Sequence, residues 1–193
     1  MDNSLVVKLR QMTGAGIVDC KNALEEVGGD LEKAAEALRK KGIAKASKRE
    51  ERETREGVVA TYIHSNNKMG VMVELLSETD FVARNEDFKK LASDIAMHIA
   101  ALNPLYLSPE SVPQEVVQKE REIYTQEFAG SGKPQNIIDN IVNGKLQKFF
   151  EETCLTKQKF IKDEEMTIDD LVKQKIGVIG ENIKIGRFAR FEI

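Results

Sequence analysis

VVATYIHSNNKMGVMVELLS, residues 58–77, is the segment from which the fold class follows. Two runs rich in β-branched and other apolar residues flank the polar segment Ser65–Lys68, a pattern typical of a β-hairpin. We therefore predict strands at Val58–His64 and Met69–Ser77. Because the sequence on both sides of the hairpin has helical periodicity, the chain is expected to be an α+β protein.

Three short helices are predicted before this hairpin. Apolar residues recur every three or four positions, and glycines interrupt the pattern at Gly14–Gly16, at Gly28-Gly29 and at Gly42. Asp30 is placed to cap the third helix, which is expected to end at Gly42. Helices this short cannot bury much surface individually, so we expect them to share one core as a compact head.

The segment Lys40–Glu56 differs in composition from its neighbours. It intersperses lysines and arginines with glutamates and contains no aromatic residue. Such a segment is expected to be a charged, helix-prone connector rather than part of a core. We therefore predict two domains, a three-helix head with its connector at 1–54 and an α+β body at 55–193.

Three longer helices are predicted after the hairpin. Asn85 is placed to cap a long helix that ends before Pro104. Two further helices begin near Pro113 and Pro134, because proline suits the start of a helix. Since only a short glycine-containing segment separates these two, they are expected to form an antiparallel pair.

The end of the chain is predicted to hold a short helix and a strand. Thr167 with Asp170 resembles a capping box, and the helix is expected to end at Gly177. Apolar and polar residues then alternate through Asn182–Ile193, as in a strand. The predicted body is therefore a three-stranded antiparallel sheet packed by helices.

Charge and hydropathy limit the partners of the chain. Among its 193 residues, 29 lysines and arginines accompany 32 aspartates and glutamates, which gives a net charge of −3 and no general attraction to nucleic acid. The start Met1-Asp2-Asn3 lacks the positive charge and apolar run of a secretory signal. No apolar stretch approaches the roughly 20 residues that span a bilayer. We expect a cytoplasmic protein.

Few residues could support catalysis. The two histidines, His64 and His98, lie in no Cys-His-Asp pattern and at no metal-ligand spacing. Cys20 and Cys154 have apolar surroundings and are expected to be buried thiols without a disulfide. Gly14–Gly16 lacks the preceding strand and the following Lys-Ser or Lys-Thr of a phosphate-binding loop. We therefore expect no catalytic site, no metal and no cofactor.

The short, glycine-separated helices also suit a helix-turn-helix DNA reader. A recognition helix should present arginine, lysine, asparagine or glutamine in a cluster. The second helix instead carries Asp19, Glu25 and Glu26, which would repel phosphates. The basic residues of the connector could contact RNA, but the interleaved glutamates favour a solvated surface. No direct contact with nucleic acid is expected.

The segment Glu78–Arg84, ETDFVAR, lies between the second strand and the long helix. One interpretation is structural: Asp80 caps a helical turn while Phe81 and Val82 pack in the core. The other is functional: a large apolar side chain on a rigid turn beside an acid has the composition of a protein-binding hot spot. Because Phe81 lies off the apolar face of the long helix, we predict that it is at least partly exposed.

Five segments resemble the elongation factor Ts family. They are residues 9–24, with the pattern LRxxTGAGIxDCKxAL; residues 28–30, GGD; residues 74–84, ExxxETDFVAR; residues 131–134, SGKP; and residues 180–188, GENI followed by Arg187-Phe188. The matches occur in order over nearly the whole chain. The resemblance implies a ubiquitin-associated-like three-helix head followed by the α+β body.

The resemblance also implies a function, guanine nucleotide exchange on the GTPase elongation factor Tu. The implied contact residues are Arg10, Ile17, Val18, Thr79, Asp80, Phe81 and Val82. The first three belong to the head, which would dock near the nucleotide domain. The others would act as a wedge on the GTPase helices beside the nucleotide, where they disturb magnesium and phosphate binding so that GDP leaves.

Two features depart from the family pattern. Relatives often have a lysine where this chain has Val7, so that contact with the GTPase is not expected here. Longer members repeat the hairpin-and-helix body, whereas this chain has one copy and resembles the short bacterial form. A rival function is an adaptor that uses the head alone, but such an adaptor has no use for residues 79–82 in a separate domain.

A homodimer is predicted from the small size of the sheet. Three strands leave two unpaired edges and a face too large for the remaining helices to cover. Pairing two copies about a twofold axis would cover that face, with Phe188, Phe191 and Ile193 near the contact. The alternative is a monomer whose sheet is screened by the loop Cys154–Met166.

Overall fold

The computed structural model describes residues 3–193, so Met1 and Asp2 of the start considered above lie outside the described residues. In chain order the helices are α1 (Asn3–Thr13), α2 (Ile17–Glu26), α3 (Leu31–Ser47), α4 (Asp80–Ala83), α5 (Glu86–Leu102), α6 (Gln114–Gln126), α7 (Gln135–Thr153) and α8 (Ile168–Ile179). The strands are β1 (Glu56–Ile63), β2 (Met69–Ser77), β3 (Lys159–Phe160), β4 (Asp163–Thr167) and β5 (Ile183–Glu192). Single turns of 3₁₀ helix lie at Pro109–Ser111 and Leu155–Lys157.

The main sheet has three antiparallel strands in the order β1-β2-β5. Each strand lies within two residues of its predicted position, so the predicted α+β class with a three-stranded sheet is confirmed. A second sheet, formed by β3 and β4, was not predicted. It pairs Lys159 with Thr167 and Phe160 with Asp163. Its strands are short and charged, so their sequence lacks the alternation of apolar and polar residues that would distinguish them from a loop.

The turn between β1 and β2 uses the polar residues that predicted it. The amide of His64 donates to the Met69 carbonyl at 2.9 Å and closes the hairpin. Asn67 has a positive φ of 56°, which asparagine adopts more readily than most residues. The Asn66 side chain accepts a hydrogen bond from the Lys68 amide at 3.0 Å. These local bonds fix the register of the two strands.

The three N-terminal helices share one core, as predicted. Its buried residues come from all three helices and are Val6, Leu9, Cys20, Ala23, Leu24 and Ala34. α2 ends at Gly28, whose φ of 69° lets the amide of Gly29 reach the Leu24 carbonyl at 2.8 Å. Asp30 caps α3 as predicted and accepts two amide hydrogen bonds, each at 3.1 Å. The three helices fit a ubiquitin-associated-like head.

Two predicted helix ends, both at glycines, are wrong. α3 continues through Gly42 to Ser47, and α8 continues through Gly177 to Ile179. The two glycines meet where the helices cross: a Cβ atom on Gly177 would lie 2.6 Å from the Cα of Gly42. Glycine costs a helix interior roughly 1 kcal/mol, but a side chain at this position would keep the backbones apart. Part of the predicted connector is therefore helix.

The described chain divides into two compact units that interleave along the sequence. The first is built from the chain up to Ala60, Val73–Ser93 and Asp170–Gly186. The second is built from Thr61–Met72, Asp94–Asp169 and Arg187–Ile193. The three head helices, α4 and nearly all of α8 belong to the first unit. The predicted division into 1–54 and 55–193 concerns independent folding, and it stays a prediction.

A buried polar network lies in the second unit. His98 on α5 is fully buried, and its Nδ1 accepts a hydrogen bond from the Ile161 amide at 3.3 Å. Its Nε2 therefore donates to the Gln158 Oε1 at 3.1 Å. The Gln158 amide nitrogen donates to the carbonyls of Leu102 and Glu152, at 3.4 and 2.8 Å. Burial lowers the pKa of His98 to about 4, so this histidine is neutral at neutral pH.

α6 and α7 pack against each other and are joined by residues 127–134. No residue of α6 is fully buried. Lys145 on α7 lies 5.3 and 5.4 Å from the ring centroids of Tyr124 and Phe128, and it forms an ion pair with Glu127. Among the helices that the structure describes, none is both long and apolar enough to cross a membrane.

Candidate functional site

The turn between β2 and α5 contains the ETDFVAR segment. Thr79 has an extended backbone and caps the four-residue helix α4. Its Oγ1 accepts a hydrogen bond from the Val82 amide at 3.4 Å, and its carbonyl accepts one from the Ala83 amide at 3.3 Å. Asp80, considered above as the capping residue, is instead the first residue of α4. A helix this short is not stable alone, so its geometry depends on its neighbours.

Phe81 is exposed on this turn. The side chain is 81% exposed, whereas Val82 and Ala83 are each 6% exposed. The prediction that Phe81 is at least partly exposed is confirmed, and Val82 packs inward as the structural interpretation held. Burying a phenylalanine gains about 1.5–3 kcal/mol, and a free Phe81 forgoes most of that gain. An apolar side chain displayed this way on an ordered turn is available for contact with a partner, and its role in binding stays a prediction.

Asp80 is also exposed, directly beside Phe81. Its carboxylate pairs with Arg84 at 2.9 Å, one helical turn later. Both side chains are more than half exposed, so the ion pair contributes little to stability. A carboxylate has further acceptor positions, and Asp80 can therefore accept a hydrogen bond from a partner while it holds Arg84.

The loop between α8 and β5 holds the turn in place. The Glu181 carboxylate accepts two hydrogen bonds from Thr79, from its amide at 3.0 Å and from its hydroxyl at 2.7 Å. The Asn182 amide donates to the Glu78 carboxylate at 2.6 Å. Sequence reasoning noted Glu181 and Asn182 only as part of a family pattern. Their partners lie 102 and 104 positions away, so nothing in the local sequence reveals these contacts.

The head presents the other predicted contact residues at its surface. Arg10 on α1 is exposed. Ile17 and Val18, the first two residues of α2, are 58% and 71% exposed. Val7, at the position where relatives often have a lysine, is exposed as well. The head therefore displays aliphatic side chains on two helices, and their role in binding stays a prediction.

Asp19 joins the start of α2 to the end of α3. Its carboxylate accepts hydrogen bonds from Lys41 at 3.0 Å and from Lys45 at 3.2 Å. The hydrogen bond from Lys41, followed by that from Lys45, lowers the pKa of the Asp19 carboxyl below its usual value. Both lysines belong to the segment predicted as a connector, and here they hold the helix start that displays Ile17 and Val18.

The described residues offer little for catalysis. Within residues 3–193, no group of three or more His, Cys, Asp or Glu side chains is arranged to hold a metal ion. His98 is buried and fully hydrogen-bonded, and the exposed His64 is 3.1 Å from the Tyr62 hydroxyl. Cys20 and Cys154 are buried thiols, as predicted, and burial raises the pKa of Cys154, which disfavours its nucleophilic thiolate.

Comparison with known proteins agrees with this arrangement. A sequence model of the family described as elongation factor TS matches residues 21–193. Elongation factor Ts of Thermosipho melanesiensis is 56% identical over 189 residues, which cover 98% of this chain and 96% of the relative. The protein of the same name from Fervidobacterium nodosum is 53% identical with the same coverage. That of Carboxydothermus hydrogenoformans is 53% identical over 191 residues, 99% of this chain and 88% of the relative. With matches of this extent, and with a three-helix head before an α+β body, the chain belongs to the elongation factor Ts family.

Proposed function

We propose that this chain is a guanine nucleotide exchange factor for elongation factor Tu and acts in the cytoplasm without a catalytic site of its own. Family membership supports a role in translation elongation. The observation that carries the proposal is the exposed Phe81 beside Asp80, on a turn that Thr79 caps and that the loop between α8 and β5 holds. Such a turn suits a wedge that enters a partner.

Exchange is a consequence of linkage between two ligands. The factor must bind the nucleotide-free GTPase more tightly than the GDP form, and GDP must then weaken binding of the factor by the same ratio. A protein that bound both forms equally would not shift the equilibrium. If burial of Phe81 occurs only in the nucleotide-free complex, its roughly 2 kcal/mol corresponds to about a thirtyfold loss of GDP affinity.

The seven predicted contact residues divide into three groups. Asp80 and Phe81 are free to reach a partner, and we assign the wedge to them. Thr79 and Val82 support the wedge, because the Thr79 hydroxyl is engaged by Glu181 and the Val82 side chain is buried. The head residues Arg10, Ile17 and Val18 form the third group, and we assign docking to them.

The decisive experiment measures release of labelled GDP from elongation factor Tu with and without the chain. We expect substoichiometric amounts of the chain to accelerate release, because a factor that leaves after exchange acts repeatedly. Bovine serum albumin at the same concentration as the chain serves as the control. If GDP leaves at the uncatalysed rate at every micromolar concentration of the chain, the proposal is refuted.

We also propose that the chain forms a homodimer through its small sheet. Three large apolar side chains on the strands in the second unit are exposed, namely Ile63, Met72 and Phe191, and Ile193 directly after β5 is exposed as well. Exposed apolar side chains on a small sheet suit an interface with a second copy of the chain. β1 and β5 are also edge strands. Light scattering should give about twice the 21.7 kDa chain mass, and a constant monomer mass on concentration would contradict the dimer.

A further inference from the structure

Both oxygens of the Glu181 carboxylate accept hydrogen bonds from one residue, Thr79. Its Oε2 accepts from the Thr79 amide at 3.0 Å and its Oε1 accepts from the Thr79 hydroxyl at 2.7 Å. Hydrogen bonds to a charged acceptor are stronger than neutral ones, and this pair of bonds fixes the carboxylate plane as well as the distance. Rotation of the Thr79 side chain would break the hydroxyl bond, whereas the amide bond depends on the position of the Thr79 backbone.

Thr79 links Glu181 to the turn that carries Phe81. Its hydroxyl donates to Glu181 and accepts from the Val82 amide, so one oxygen joins the clamp to the helix that carries Phe81. The bond to Val82 is long, at 3.4 Å, and the four-residue helix has few bonds of its own. Phe81 has almost no packing to orient it. Its direction is therefore set by the buried Val82 on one side and by Thr79 on the other.

The loop that carries Glu181 is itself firmly held. Asn182 is 1% exposed, and its amide donates to the Glu78 carboxylate at 2.6 Å. Its side-chain nitrogen donates to the carbonyls of Arg52 and Glu50, at 2.7 and 3.3 Å. The backbone that carries Glu181 is therefore held in place, as is required of a residue that preorganises a binding surface.

We propose that Glu181 is a positioning residue for nucleotide exchange, which orients Phe81 by clamping Thr79; the inference rests on the proposed function. Loss of the clamp leaves Phe81 and the head residues chemically intact. Binding of the GTPase should then change little. The step in which the wedge displaces GDP should slow, because the turn has the productive geometry in a smaller fraction of the molecules.

Glu181→Ala is the primary test, with GDP release from elongation factor Tu measured across a range of factor concentrations. We expect the maximal rate to fall about tenfold, since two charge-assisted hydrogen bonds are lost, while the half-saturating concentration changes less than twofold. Glu181→Gln keeps one acceptor oxygen and should recover part of the rate. Glu164→Ala, at an exposed glutamate on β4, is the matched control and should match the unaltered chain.

A double substitution tests whether Glu181 acts through Thr79. In a Thr79→Val background the hydroxyl is absent, so Glu181→Ala should reduce the rate by only about twofold more. Equal tenfold effects in both backgrounds would overturn the inference. Amide hydrogen exchange of the chain alone gives a readout without the GTPase: the amides of Val82, Ala83 and Arg84 should exchange faster in Glu181→Ala than in Glu164→Ala, at equal thermal stability.

The outcomes separate the two proposals. If the unaltered chain does not accelerate GDP release, the proposed function fails and this inference fails with it. If the unaltered chain accelerates release and Phe81→Ala does not, but Glu181→Ala is as active as Glu164→Ala, only the positioning role is overturned. Unchanged exchange of the turn amides in Glu181→Ala would overturn it as well.

Discussion

The helix starts at Ile17 and at Asp80 display apolar side chains in different ways. α2 follows Gly16, which makes no side-chain capping hydrogen bond, and it exposes two aliphatic residues. α4 follows Thr79, which caps the helix and is clamped by Glu181, and it exposes a single aromatic residue. A capped and clamped turn fixes the backbone from which one side chain extends. The start of α2, which Lys41 and Lys45 hold through Asp19, presents two side chains together.

This difference suggests that the two surfaces have different tasks. Exposed aliphatic residues suit docking, because burial of apolar area depends little on direction. A fixed aromatic residue suits a wedge, because a preorganised group loses less free energy on ordering. We therefore expect changes in the head to alter the concentration needed for exchange, and changes in the turn to alter its maximal rate.

Phe81→Ala should have the largest effect. We expect the maximal rate of GDP release to fall roughly thirtyfold, because about 2 kcal/mol of burial is lost in the complex. The thermal midpoint should stay within a few degrees of the unaltered chain, since the side chain is 81% exposed in the free protein. Phe81→Leu keeps part of the apolar area and should be intermediate. A rate equal to that of the unaltered chain would remove the basis for assigning the wedge to this turn.

Gly177→Ala tests the crossing of α3, the third helix of the head, with α8, which leads into the clamp. The added Cβ would lie 2.6 Å from the Gly42 Cα, so unfolding in urea should show a loss of about 1–3 kcal/mol. Gly144→Ala in α7 is the matched control, because no atom lies within 4 Å of its added Cβ. That variant should gain roughly 0.5–1 kcal/mol from helix propensity. Equal effects of the two substitutions would show that the close crossing does not limit stability.

Ile17→Ser combined with Val18→Ser should affect exchange in the opposite manner to Phe81→Ala. We expect the half-saturating concentration to rise about tenfold and the maximal rate to stay the same, because apolar area is lost from docking alone. Ile123→Ser combined with Ile137→Ser, at exposed positions on α6 and α7, is the control and should leave both values unchanged. A lower maximal rate in the head variant would end the proposed division of tasks.

His98 gives a smaller, pH-dependent effect on stability that involves neither surface. Its pKa is about 4 in the folded chain and near 6.5 when unfolded, so the unfolded state binds the proton first. Stability is therefore full above pH 6.5 and falls as the pH approaches 4, with a loss of about 1 kcal/mol by pH 5.5. Urea unfolding at pH 7.5 and 5.5 measures this, and His98→Asn should flatten the dependence. His64→Asn, at an exposed histidine, should leave it unchanged.

Local features of the fold were predictable from the sequence, and contacts between distant segments were not. The hairpin, the Asp30 cap and the exposure of Phe81 depend on patterns within a few residues, and the structure has all three. Gly42 and Gly177 were taken as helix ends because glycine usually ends helices, yet their role is a contact between two helices.

The candidate site shows the same division. The sequence distinguished the ETDFVAR segment, but it could not assign Thr79 as the cap or bury Val82, since both depend on what packs beneath the turn. Glu181 escaped notice as a functional residue because its partner is 102 positions away. A carboxylate in a loop after a helix has no local pattern that distinguishes a clamp from a solvated side chain.

The two buried thiols lie in different compact units, Cys20 in the first and Cys154 in the second. A buried thiol reacts with an alkylating reagent only while its surroundings are transiently open, so its modification rate measures how often that region opens. Each unit thus contains one cysteine of its own whose modification rate reports how often its surroundings open, without any engineered label. Mass spectrometry of peptides from a timed alkylation would time each opening separately, and would show whether the two units open together or one at a time.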